Sequence, residues 1–346
     1  MANDLLKRAY VGALALCVAA GCSFSLAERT VCINGECPQP NLPDQALPPT
    51  DMNAERTDPN EAGPFLWAYQ ELSVPPSLYL QENKLAMMWP SDEGTNPSTK
   101  KPIMPLVVML PAQNLSVTQL RPYAERLATH GIATALMKVS DERRQVQYRD
   151  LVLAVTQFLV QTSSVKGQIQ SDRIGLHGYQ LGGMVAGSAL SKSGATFRSA
   201  LLIDPVAVPS FVEPLDALKD VQSVALPKTG PLLLLGETLS KVGEPGLMPC
   251  TPADANYEQF FGKLGGAALA LTLTGATHSD FVASYPDQCG TPTLDRATTR
   301  RLSIKYTTAY FQWTLLDRTA ASEYLVGTFW TADRVLWNLA STSKGL

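Results

Sequence analysis

From Leu66 onward, short apolar runs alternate with amphipathic stretches. That alternation predicts a mostly parallel β-sheet covered by helices. Ile103 to Leu110 (IMPLVVML) is apolar at nearly every position. A strand buried on both faces needs this, because its side chains point alternately to the two sides. Further strands are expected over Ile132 to Val139, which follows a helix ending at His130-Gly131, and over Arg173 to His177, Ser199 to Ile203, Pro231 to Leu235 and Ala267 to Leu273. A polar or glycine-containing turn follows each of them. In an open α/β sheet, sites are built where strands end at their carboxyl side. Gln180, Asp204 and His278 each stand just past such an end, so they are expected on one edge of one sheet.

Composition narrows the picture. With 346 residues, 45% of them hydrophobic and 17% charged, the chain can bury a large core. A single α/β domain is therefore expected over residues 66–346, its central sheet flanked by helices on both faces. The formal net charge of -3 and the absence of a Lys/Arg run leave no electrostatic footprint for nucleic acid.

The first 22 residues have the anatomy of an export signal: Lys7 and Arg8, the apolar run Val11 to Ala20, then Gly21-Cys22. Ala19-Ala20-Gly21-Cys22 resembles a bacterial lipobox, which would make Cys22 the lipidated N-terminus. Cleavage after Ala27 is the alternative. Either route takes the mature chain out of the cytoplasm, with a membrane contact only through the N-terminal lipid. Residues 23–65 then form a Cys- and Pro-rich tether, with seven prolines between residues 38 and 64. Four cysteines remain beyond the leader and Cys22. We pair Cys32 with Cys37 across an Asn-Gly turn, and Cys250 with Cys289, as an oxidising compartment allows. Their spacings match no zinc pattern, and no metal or cofactor is expected.

The stretch RIGLHGYQLGGMVAG, Arg173 to Gly187, reads as a buried strand, a glycine-hinged turn and a helix rich in small residues. This is the form of a nucleophile elbow, in which Gly178, Gly182 and Gly183 let the backbone turn sharply and pack closely. A serine would be expected in the middle of Gly178-Tyr179-Gln180-Leu181-Gly182. Gln180 stands there instead. Asp204 and His278 follow in the order of a triad acid and base.

Four segments in order resemble the α/β-hydrolase superfamily, and within it chlorophyllases, platelet-activating-factor acetylhydrolases and cutinase-like, polyester-cleaving esterases. They are Gly178 to Gly183, Ala200 to Val206, Met248 to Pro252 and Gly275 to Phe281. The resemblance spans roughly residues 66 to 315. It implies an α/β-hydrolase fold, with Asp204 in the place of the acid, His278 in that of the base and Gln180 in that of the nucleophile. It also implies oxyanion donors at the backbone N–H of Leu181 and of Ala112 or Gln113. The chain departs from the family at Gln180 and at Pro111-Ala112-Gln113-Asn114, where His-Gly is usual.

Plainer roles compete at each position. Gln180 could bond His278 and close the site, Asp204 could cap a turn, and His278 could be an ordinary loop histidine. His130 reads as a helix cap favoured by the helix dipole, His177 as a strand residue, and Ser188 as too far past the elbow to substitute as nucleophile. Three functions are open: a degenerate esterase that still binds a hydrophobic ester or lipid, an enzyme using the Asp204 and His278 dyad on water or substrate, and a structural protein of the cell envelope.

Overall fold

Six apolar runs form the parallel centre of a nine-stranded sheet. The computed structural model describes residues 58–78, 80, 83–112, 115–137, 145–192, 196–206, 231–241, 249–283 and 289–345, all within the unit Leu47–Leu346. The parallel strands are β3 (Met104–Leu110), β4 (Ala133–Leu136), β5 (Ile169–Tyr179), β6 (Ser199–Ile203), β7 (Leu232–Glu237) and β8 (Ala268–Leu273). Ahead of them lie β1 (Leu66–Ser73) and β2 (Lys84–Ser91), and last comes β9 (Ala340–Lys344). The order across the sheet is β1-β2-β4-β3-β5-β6-β7-β8-β9. Strands β1, β2 and β9 pair antiparallel with their neighbours.

The apolar runs are continuous because helices cover both faces. Along β3, Leu106, Val108 and Leu110 join one buried cluster, and Val107 and Met109 join the other. Strands β6 and β7 alternate in the same way. The first cluster contains residues of α2 (Gln145–Gln161), α3 (Leu181–Lys192) and α4 (Tyr257–Lys263). The second contains residues of α1 (Arg121–Thr129), α5 (Arg296–Leu315) and α6 (Thr328–Trp337). Small residues in α3 let it sit close to its neighbours: a methyl group on Gly187 would meet the Phe260 ring at 2.6 Å. Among the described residues, no helix is long and apolar enough to cross a membrane.

Two details depart from the sequence reading. His130 does occupy the C-cap of α1, but burial pushes its imidazole down to about 3, so no imidazolium meets the helix dipole. Its ring is instead a bridge. The Gln312 amide donates to Nδ1 at 2.8 Å, which leaves Nε2 to donate to the Glu61 carbonyl at 3.0 Å. The second detail is the end of the expected tether. Residues 58–65 are held along α1: the Arg126 guanidinium donates to the carbonyls of Pro59, Asn60 and Glu61, and the Phe65 N–H donates to the Thr129 carbonyl at 3.0 Å.

Candidate active site

The parallel strands present their carboxyl ends on one edge, and Gln180, Asp204 and His278 follow the ends of β5, β6 and β8 there. Strand β5 ends at Tyr179, and Gln180 turns the chain into α3 with φ of +54°. That left-handed backbone is costly for any residue with a Cβ, and glutamine is not among the types that tolerate it well. Neighbours hold it in place: the Gln180 N–H donates to the Ile203 carbonyl at 3.0 Å, and the Gln180 carbonyl accepts from the Met184 N–H at 3.2 Å. Gln180 is partly exposed, whereas the strand residues before it are buried.

The elbow glycines are needed for contact. A Cβ on Gly178 would lie 2.2 Å from the Gly182 carbonyl oxygen, and one on Gly182 would lie 2.2 Å from that of Leu110. Gly183 is less crowded, with the Pro205 Cβ at 3.1 Å. The close approach at Gly182 sets the first turn of α3 against the main chain of Leu110 and Pro111, which leads to buried Ala112. Leu181 begins α3 at the same place. Gln113 lies outside the described residues.

Asp204 follows β6 in a second strained position, with φ of +41°. Its N–H donates to the Leu235 carbonyl at 2.6 Å, which fixes it to the end of β7. Its Oδ2 lies 2.6 Å from Nδ1 of His278, and both side chains are fully buried. A carboxylate this close holds the imidazole in the tautomer with a proton on Nδ1, leaving Nε2 as the basic nitrogen. His278 opens a short helical turn after β8, closed by a capping box between Thr277 and Asp280. The Tyr179 ring stacks on the imidazole at 5.0 Å, and its hydroxyl donates to the His278 carbonyl at 2.8 Å.

Cys250 and Cys289 form a disulfide, with their Cα atoms 5.4 Å apart. It joins the segment before α4 to the segment after the histidine turn. Cys22, Cys32 and Cys37 lie outside the described residues. Among the described residues, no cluster of His, Cys, Asp and Glu could hold a metal ion. His177 is buried in β5, its ring 5.2 Å from that of Tyr123, and Ser188 is buried within α3.

No family model and no curated protein matches this chain.

Sequence reasoning missed Glu237, the last residue of β7. It is fully buried on the same edge, and burial first and the Asp204 charge second push its carboxyl up to about 8. Its signal was available: a lone carboxylate ends the apolar run Leu232 to Leu235. Tyr179 was read only as a member of the elbow. Its second role depends on where His278 arrives, some ninety-nine residues later.

Proposed function

We propose that the chain is an exported α/β-hydrolase-fold protein whose esterase nucleophile is replaced by Gln180, and which retains a cleft for a hydrophobic ester or lipid. One observation carries the reading: Gln180 is held at φ of +54° at a sharp strand-to-helix turn, on the strand edge that also carries the buried Asp204 and His278 pair, joined at 2.6 Å. The sheet order, with β2 antiparallel among parallel neighbours, agrees with the hydrolase resemblance. A glutamine amide nitrogen is delocalised, so a neighbouring base cannot make it the nucleophile that a serine becomes. Losing the nucleophile of such a triad costs on the order of a millionfold in turnover, about 8 kcal/mol of barrier.

A second reading has one observation in its favour. The Asp204 to His278 hydrogen bond is intact and buried, an arrangement that could activate water or deprotonate a substrate without a covalent step. Gln180→Ser separates the two. On the first reading the serine variant gains hydrolysis of short-chain aryl esters, His278→Ala abolishes the gain, and the parent is nearly inert. If the parent hydrolyses esters as fast as the variant, with His278 required in both, the dyad reading replaces the first. Export would place the protein in the cell envelope, through a lipid on Cys22 or by cleavage after Ala27. Mass spectrometry of the mature N-terminus decides between these, and an intact Met1 in cell fractions refutes both.

A further inference from the structure

The histidine loop is tied to the loop after β7 by a set of short bonds. The Gly275 N–H donates to Thr238 Oγ1 at 2.9 Å, the Leu239 N–H reaches the Ala276 carbonyl at 3.3 Å, and the His278 N–H donates to Ser240 Oγ at 2.8 Å. Ser240 Oγ in turn donates to the Cys289 carbonyl at 2.9 Å, beside the disulfide. Two members of this set, Leu239 and Ser240, also bond Glu237. Its Oε2 accepts from the N–H groups of Leu239 at 2.5 Å and Ser240 at 2.9 Å, and its Oε1 accepts from Thr251 Oγ1 at 2.8 Å. The Thr251 N–H closes the ring on the Ser240 carbonyl at 3.1 Å. Thr251 is also the residue next to Cys250.

We propose that Glu237 is a positioning residue for the site: its buried carboxyl fixes Ser240 and Thr251, and through them the main chain at His278 and both ends of the disulfide. This rests on the reading that Asp204 and His278 form an acid–base pair. A buried carboxyl next to Asp204 opposes its own ionisation, so an apolar residue would suit a strand end with only a packing role. What the carboxyl supplies is two oxygens aimed in different directions: Oε2 accepts the two N–H groups in either protonation state, and Oε1 meets the Thr251 hydroxyl, which can donate to a carboxylate or accept from the protonated acid. Leu239 and Ser240 on one side and Thr251 on the other are thereby gathered on it. The bond from His278 N–H to Ser240 then sets the height of the imidazole over the strand edge, and Asp204 and Tyr179 set its direction.

The experiment compares Glu237→Ala, Glu237→Gln, Ser240→Ala and Thr251→Val, each in the native chain and in the Gln180→Ser background. In the native chain, proton NMR follows the low-field signal of the Asp204 to His278 bond, assigned by its loss in His278→Ala. In the serine background, kcat and KM for an aryl acetate are measured, with melting temperatures to confirm folding. Glu237→Gln keeps a carbonyl acceptor for the two N–H groups, and its amide N–H can donate to Thr251 Oγ1, reversing that bond. It is expected to keep the low-field signal and to change kcat by less than about threefold. Glu237→Ala releases Leu239, Ser240 and Thr251, and Ser240→Ala loses the acceptor for the His278 N–H; both are expected to broaden or remove the signal and to lower kcat by about tenfold or more with KM nearly unchanged. The proposal is overturned if Glu237→Ala keeps the parent signal and kcat while only the melting temperature falls, or if Ser240→Ala and Thr251→Val do. If the serine background has no esterase activity, the NMR arm still decides. A native chain without the low-field signal overturns the positioning role and the acid–base reading together.

Discussion

Replacing Gly182 with alanine would place a methyl carbon 2.2 Å from the Leu110 carbonyl oxygen and 2.6 Å from that of Pro111. Ordinary contact begins at 3.4 Å, so the new atom is more than 1 Å too close to the first group and almost 1 Å too close to the second, and neither can rotate away. Overpacking of this kind costs about 1 to 3 kcal/mol and sometimes more, and a backbone obstacle puts it at the upper end. Alanine recovers about 1 kcal/mol of helix propensity, leaving a net loss of about 2 to 3 kcal/mol. Gly178→Ala meets the Gly182 carbonyl at the same 2.2 Å within a strand, with no helical gain to offset it, and should lose about 3 kcal/mol or more. Gly183→Ala, at 3.1 Å from a proline side-chain carbon, should lose less than about 1 kcal/mol. Gly262 has nothing within 4 Å and lies in α4, so Gly262→Ala should be neutral or stabilising by up to about 1 kcal/mol. Urea titration of the four variants, with slopes checked for constancy, gives the ranking. Equal midpoints for Gly182→Ala and Gly183→Ala would refute the claim that the first turn of α3 is pressed against the β3 end, and with it the packing basis of the elbow.

Breaking the disulfide should also be measurable: with Cys250 and Cys289 separated by 39 positions in sequence, the chain-entropy model gives about 4 kcal/mol, and a Cys250→Ser, Cys289→Ser double variant that loses under about 1 kcal/mol in urea would contradict it. Acid sensitivity has a named source in His177, which burial pushes down to about 3. The unfolded chain binds a proton there near pH ~6.5 and the folded chain resists, so this contribution is complete above that pH. It is lost by about 1.4 kcal/mol per pH unit as pH falls toward the folded value. His177→Phe keeps the ring against Tyr123 and should lessen the loss between pH 6.5 and 4.5 by about 2 kcal/mol; parallel stability curves for parent and variant would show that His177 is not responsible.

Which runs become central strands was legible from the sequence, because burial on both faces demands uninterrupted apolar residues. Ser199–Ile203 matches its expected span, and the other five differ only at their ends. The edge strands gave no such signal. Strand β9 has the sequence ASTSK and is exposed along most of its length, so backbone pairing with β8 defines it, with no apolar side-chain pattern to announce it. The sequence also placed Gln180, Asp204 and His278 on one edge, since strand ends can be counted without knowing how the strands pair.

Other features waited on the tertiary structure. Whether His278 meets Asp204, and at which nitrogen, depends on the neighbouring positions of β6 and β8 around β7. The pairing of strands decides that distance between two residues seventy-four positions apart in sequence. The same holds for His130. Its place beside Gly131 suggested a charged helix cap, and only the arrival of Gln312 and Glu61 makes it a buried neutral bridge. Glu237 is the clearest case. In sequence it is one carboxylate after a run of leucines, and its part in the site comes from donors on Leu239, Ser240 and Thr251 that the fold brings to its two oxygens. Local pattern is set by burial and periodicity, which the chain carries in itself; convergence of polar groups is set by long-range contacts, whose partners the sequence does not mark.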